Sequence, residues 1–291
     1  PTLVFSETDE SPMSRLLPPA ILASLMLTTM VAAAAAPVVE PRTPRALTEE
    51  DTAEVVDFIV GNAVFALYHQ TGHFLISRYG AQPKGMSEER AADFFATLTL
   101  LEPRSGTGDQ TLVDAIDSWK LGGPGTLSIV ADEAGRRNPH ALDEKRTDAL
   151  ICDMVGADPD GFADIADAAG LDPAARRLCG ATWKREQAAW AAAAKGLPPA
   201  PAKPQTFAVA YETAAPEDET AATILEDNGV LEEVADSLAQ RFAFKNPPTL
   251  RARNCGIATT RFDVEANELV LCYELSTLHA EMIMRDIERR N

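Results

Sequence analysis

Along the first third of the chain, apolar residues recur at helical spacing: Val55, Val56, Phe58, Ile59, Val64, Phe65, Leu67, Phe74, Leu75 and Ile76. Thr48 followed by Glu49, Glu50 and Asp51 offers an N-cap and an acidic first turn, so a helix should open there and close near Gly80. Gly61 suggests a break into two helices. Around residues 63–76 nearly every face is apolar, the pattern of a buried central helix. A second helix is signalled by Ser87 as N-cap with Glu88, Glu89 and Arg90 behind it, continuing through Phe94, Phe95 and Leu98 to about Leu101.

Residues 108–121, 140–155, 159–168 and 173–195 also read as helices, each opened by Asp, Asn or Pro, which makes residues 48–193 a helical domain. The stretch 194–205, "AKGLPPAPAKPQ", has the polyproline character of a loop or stiff linker. Beyond it, residues 206–291 read as an α+β section of the same domain. "TFAVAYE" (Thr206–Glu212) alternates like a strand, and Glu217–Phe242 carries one or two acidic helices. Ile257–Asp263 and Glu268–Tyr273 form a hairpin turning near Glu265–Asn267, and a helix ends the chain. The expected fold is α+β and mostly helical.

The chain has 291 residues, 46% of them hydrophobic, enough for one large domain or two small ones with a real core. Its formal net charge of −18 repels phosphate backbones, and no basic cluster interleaved with aromatics offsets it, which argues against nucleic-acid binding. From Met13 the chain runs "MSRLLPPAILASLMLTTMVAAAAAPVVEP": an arginine, an apolar stretch, then small residues in an A-x-A pattern. Residues 13–36 are therefore expected to be a secretory signal peptide, with residues 1–12 a stray leader before it. The expected location is periplasmic or secreted, and a membrane would be met only through an uncleaved signal segment. In an oxidising compartment the even set Cys152, Cys179, Cys255 and Cys272 falls into two sequence-local pairs. Of the three connectivities, Cys152–Cys179 with Cys255–Cys272 is the favoured one.

The chemistry concentrates in "LYHQTGHFLI", Leu67–Ile76. His69 and His73 stand four apart on the buried helix, so their imidazoles share one face and can supply two ligands to a zinc ion. On the second helix Glu89 and Asp93 are again four apart. Glu89 can complete the site while Asp93 accepts a hydrogen bond from the outer nitrogen of a ligating histidine. Glu88 competes for the ligand role, pointing about 100° away from Glu89 around the helix.

"NAVFALYHQTGHFLISRYG", "GMSEERAADFFATLTLLEP", "HALDEKRTDALICDMVGADPDGFADI" and "NELVLCYEL" together resemble a family of exported bacterial proteins of unknown function classed as metallopeptidases. Its core motif is of the H-E-x-x-H…E-x-x-x-D type, similar to gluzincin peptidases. The resemblance implies a zincin-like helix pair, zinc as cofactor, a peptide or protein as substrate or ligand, His69, His73 and Glu89 as ligands, and Asp93 behind them. It also touches His140, a candidate to stabilise an oxyanion across the cleft. The departure is Gln70, where the motif has glutamate, the group that takes a proton from the attacking water. An amide cannot hold that proton near neutral pH, so the expected activity is weak or absent. The alternative reading is a zinc-bound pseudo-peptidase that binds a peptide or protein without cutting it.

Overall fold

In a computed structural model, which describes residues 46–126 and 144–291, Thr48 caps helix α1 (Glu49–Tyr79) with a reciprocal capping box. The Thr48 hydroxyl accepts from Asp51 N at 3.1 Å and the Asp51 carboxylate accepts from Thr48 N at 2.7 Å. The expected leader and signal segments, residues 1–12 and 13–36, and His140 lie outside the described residues. Residues Ala46–Asn291 form one compact unit.

α1 runs unbroken for 31 residues, contrary to the break expected at Gly61. The reason is packing. A Cβ at position 61 would sit 2.2 Å from Asp114 Oδ2 of helix α3 (Gly106–Thr126), so glycine serves close approach of two helices, not a turn. Around α1 stand α2 (Glu88–Leu101), α3, α7 (Glu219–Asp227), α8 (Val230–Arg241), α9 (Tyr273–Arg290) and part of a sheet, which explains its apolar character on nearly every face.

α4 (Glu144–Ala157), α5 (Ala163–Ala168) and α6 (Pro173–Ala193) build a layer behind α2. Arg90 of α2 grips Asp153 of α4 through two hydrogen bonds of 2.8 and 2.6 Å and also pairs with Glu186 of α6. The Cys152–Cys179 disulfide ties α4 to α6. The second disulfide, Cys255–Cys272, joins a loop to the end of the sheet, and no free cysteine remains.

The sheet has strands β1 (Val209–Tyr211), β2 (Thr249–Arg253), β3 (Thr260–Asp263) and β4 (Glu268–Cys272) in the order β1-β2-β4-β3. β1, β2 and β4 are parallel, with Leu250 opposite Leu269 and Ala252 opposite Leu271. β3 pairs antiparallel to β4 as the expected hairpin and is the edge strand that packs against α1. Phe74 of α1 meets the sheet side edge-on, at 5.2 Å from Phe262 and 5.1 Å from Phe244. The fold is α+β and mostly helical, and among the described residues no helix is long and apolar enough to cross a membrane.

Asp114, at the α1–α3 contact, gives a stability prediction. Burial pushes its carboxyl from the ordinary 3.8 up to about 7. The folded chain thus binds this proton more tightly than the unfolded chain, so this group lowers stability as pH rises between about 4 and 7. Asp114→Asn, which keeps an acceptor for Gln110 Nε2, should flatten that slope. Thermal unfolding of both proteins across this range checks it; parallel curves would refute the assignment.

Candidate metal centre

His69 and His73 lie one turn apart on α1, both buried, with ring centroids 4.8 Å apart. Between them Gly72 lets α2 approach: a Cβ there would fall 2.6 Å from Ala92 Cα, a backbone atom that cannot swing aside. That contact brings the first turns of α2 over the two imidazoles. Glu89 Oε2 then stands 3.5 Å from His69 Nε2, Glu89 Oε1 stands 3.5 Å from His73 Nε2, and the two Nε2 atoms are 3.1 Å apart.

The outer nitrogens are each taken by a carboxylate. Asp93 Oδ1 lies 2.8 Å from His69 Nδ1, and Glu88 Oε1 lies 2.8 Å from His73 Nδ1. Carboxylates accept, so Nδ1 is the nitrogen that donates in each contact, and Nε2 of each ring is turned toward the other ring and the Glu89 oxygens. Two imidazole nitrogens at 3.1 Å are held together by a shared proton or a shared cation. A four-coordinate zinc with bonds near 2.0–2.1 Å separates its ligand atoms by about 3.3 Å, close to the separations found here. The three side chains therefore fit a metal ion, and they form a candidate ligand group by their mutual distances. Another such group, Cys255, Cys272 and Glu274, has both sulfurs committed to a disulfide.

Glu88, the competing ligand on sequence grounds, points to the outer side of His73 instead of the cluster, while Asp93 occupies the matching place behind His69. Asp93 is itself gripped from α4: Arg146 Nε reaches Asp93 Oδ2 at 2.8 Å and Arg146 Nη2 reaches Asp93 Oδ1 at 2.6 Å, with the guanidinium 4.8 Å over the Trp119 ring. Burial would raise the Asp93 carboxyl, but His69 and Arg146 outweigh it and hold it well below the ordinary carboxylate range. Burial also pushes His69 down to about 4 against the pull of Asp93, which keeps the ring neutral and able to coordinate at neutral pH. Arg146 was not singled out by the sequence reading, although "HALDEKR" contains it; nothing in one sequence says which helical arginine will face Asp93.

Gln70 is 1% exposed and turns to the edge strand: its Nε2 donates to Thr260 O and Thr260 Oγ1, both at 3.2 Å. The side chain thus joins the helix bearing the histidines to the start of β3. His279 is buried on α9.

Over residues 40–193 and 211–290 the chain matches the model of a family described as "Putative metallopeptidase". The chain belongs to that family. No curated protein and no solved structure matches it. For a member of this family, two buried imidazoles and a half-buried carboxylate converging on one point are the feature that gives the family description a physical basis.

Proposed function

We propose that the protein is an exported, zinc-dependent metallopeptidase homologue whose hydrolysis of peptide bonds is weak because Gln70 stands at the place of the general base. The observation that carries this reading is the convergence of His69 Nε2, His73 Nε2 and the two Glu89 oxygens at 3.1–3.5 Å, with Nδ1 of each imidazole held by Asp93 or Glu88. A set of two histidines and one glutamate suits zinc and leaves a position open. When bound, zinc would polarise a peptide carbonyl and lower the pKa of water.

The chain's own residues supply the rest. His69, His73 and Glu89 would hold the ion; Asp93, gripped by Arg146, and Glu88 would orient the rings and raise their basicity. Gln70 can donate and accept hydrogen bonds but cannot carry a proton from water to a leaving amine. Export is supported by the signal-like run at residues 13–36 and by the disulfides Cys152–Cys179 and Cys255–Cys272.

Elemental analysis of purified protein after zinc reconstitution and desalting tests the reading. About one zinc per chain is expected of three ligands already assembled by packing. A content below roughly a tenth of an equivalent would overturn it.

A further inference from the structure

The first turn of α9 carries Glu274, whose Oε1 accepts from Cys255 N at 2.8 Å and from Gly256 N at 2.7 Å. Asn254 Nδ2 donates to the same oxygen at 3.2 Å and reaches Asp218 Oδ2 at 2.6 Å. These bonds pin the loop after β2 to the start of α9. The other oxygen, Oε2, has no hydrogen-bond partner among the described residues, so half of this anion is not spent on the protein. A carboxylate oxygen of Glu274 also lies within 4.8 Å of the sulfurs of both Cys255 and Cys272.

While the disulfide is closed, its sulfurs are not metal ligands, because the thiolate is the form that coordinates. Reduction changes that. A dithiol gives two electrons and two protons to the disulfide and closes to its own disulfide, leaving Cys255 and Cys272 as thiols. The carboxylate beside them opposes their ionisation, whereas a divalent cation displaces both protons and neutralises much of the resulting charge. Thiolate donors select thiophilic ions over magnesium or calcium.

The backbone suits such a site. The two Cα atoms are 5.5 Å apart, and an ion with metal–sulfur bonds of about 2.3 Å sets its sulfurs about 3.8 Å from one another. The sulfurs must part, and Cys255 is the one placed to turn. It is half-buried in a loop beside exposed Gly256, while Cys272 is fully buried at the end of β4. The hydrogen bonds to Glu274 hold the loop backbone as the Cys255 side chain swings. Among the described residues no carboxylate completes a similar group at Cys152–Cys179.

We propose that Cys255, Cys272 and Glu274 form a second metal site, shut by the disulfide and opened by its reduction, which takes a thiophilic divalent ion of the zinc and cadmium class on two thiolates and one carboxylate. It shares no ligand with the histidine centre and does not rest on the metallopeptidase reading.

The test is a titration of the purified full chain with cobalt(II), before and after reduction by a water-soluble phosphine, which becomes its oxide with oxygen from water. Cobalt bound to thiolate shows a charge-transfer band that cobalt on histidine and carboxylate lacks. The oxidised protein should show no such band, and the reduced protein should show one thiolate-bound cobalt per chain, displaced by zinc or cadmium. Cys255→Ser should lose the band and Cys179→Ser should keep it. Glu274→Gln retains an acceptor for the loop and should bind at least about tenfold more weakly, since even carboxylates outside a ligand set contribute about 10–100-fold. Should Cys255→Ser not fold, alkylation of the unaltered reduced chain followed by peptide mapping decides: cobalt should protect Cys255 and Cys272 and leave Cys152 and Cys179 reactive. No charge-transfer band after reduction, a band that survives in folded Cys255→Ser, protection of Cys152 and Cys179 instead, or loss of the circular dichroism of the fold on reduction would each overturn the inference. None of these results bears on zinc at His69, His73 and Glu89, where no ligand is sulfur.

Discussion

Replacing Gly72 by alanine is expected to abolish tight zinc binding as thoroughly as replacing His73, although Gly72 offers no ligand atom. The added Cβ would meet Ala92 Cα at 2.6 Å, and both atoms belong to helices fixed by packing on other sides. α2 has to move out, and Glu89 moves with it, away from Nε2 atoms it now faces at 3.5 Å. His73→Ala instead removes one of three ligands and leaves the helices in place. Asp93→Asn keeps all three ligands and disturbs only the orientation of His69, so its loss should be smaller, about 10–100-fold in affinity. Competition with a chromophoric chelator at fixed pH ranks the variants, and circular dichroism confirms that each is folded. If Gly72→Ala bound zinc as tightly as the unaltered chain, the close approach of α1 and α2 would not be what assembles the site.

The parts of this arrangement that were legible in the sequence are those encoded locally. The i,i+4 histidines, the i,i+4 pair Glu89 and Asp93, and the caps at Thr48 and Ser87 follow from helix periodicity and hydrogen-bonding side chains, and the structure has both helices within a residue or two of their expected ends. The hairpin of β3 and β4 was also readable from alternation and a turn. The central strand β2 was not: "TLRAR" is short, follows two prolines and carries two arginines, and its place between β1 and β4 is set by parallel pairings to residues far along the chain. Gly61 misled for a related reason. A glycine in a helix reads as a weak point, and only the neighbour, Asp114 of α3, shows that it is a contact. Glu88 is the same lesson at the site: sequence made it a rival to Glu89 as ligand but could not say that it would meet the outer nitrogen of His73. Arg146 and Thr260 reach the site from other elements, so their roles exist only in three dimensions.

Gln70→Glu is expected to raise peptide hydrolysis by about 10²–10⁴-fold in zinc-loaded protein, the contribution of a general base, without changing zinc content. The exchange keeps the side-chain length at the position between the ligands and supplies a proton acceptor, while His69, His73 and Glu89 stay as they are. The structure adds a condition. Gln70 Nε2 donates to Thr260 O and Oγ1 at 3.2 Å, and a carboxylate has no proton to give to that carbonyl. Glutamate would be repelled from Thr260 O and would have to give up the position of the amide, although Thr260 Oγ1 could turn to donate to it. The carbonyl itself stays satisfied, because Thr259 Oγ1 donates to it at 3.1 Å. The cost in stability should therefore be about 1 kcal/mol, not a loss of the fold. Chelator-sensitive cleavage of an unstructured protein substrate, compared with the unaltered chain at equal zinc content, measures the gain. A rate unchanged in folded, zinc-loaded Gln70→Glu protein would mean that the link between α1 and β3 made by Gln70, not a missing base, governs this cleft, and would favour a protein that holds peptides without cutting them. Efficient cleavage by the unaltered chain would show instead that some other group takes the proton; Glu88, 2.8 Å from the outer nitrogen of His73, faces away from the cluster and is poorly placed to do so.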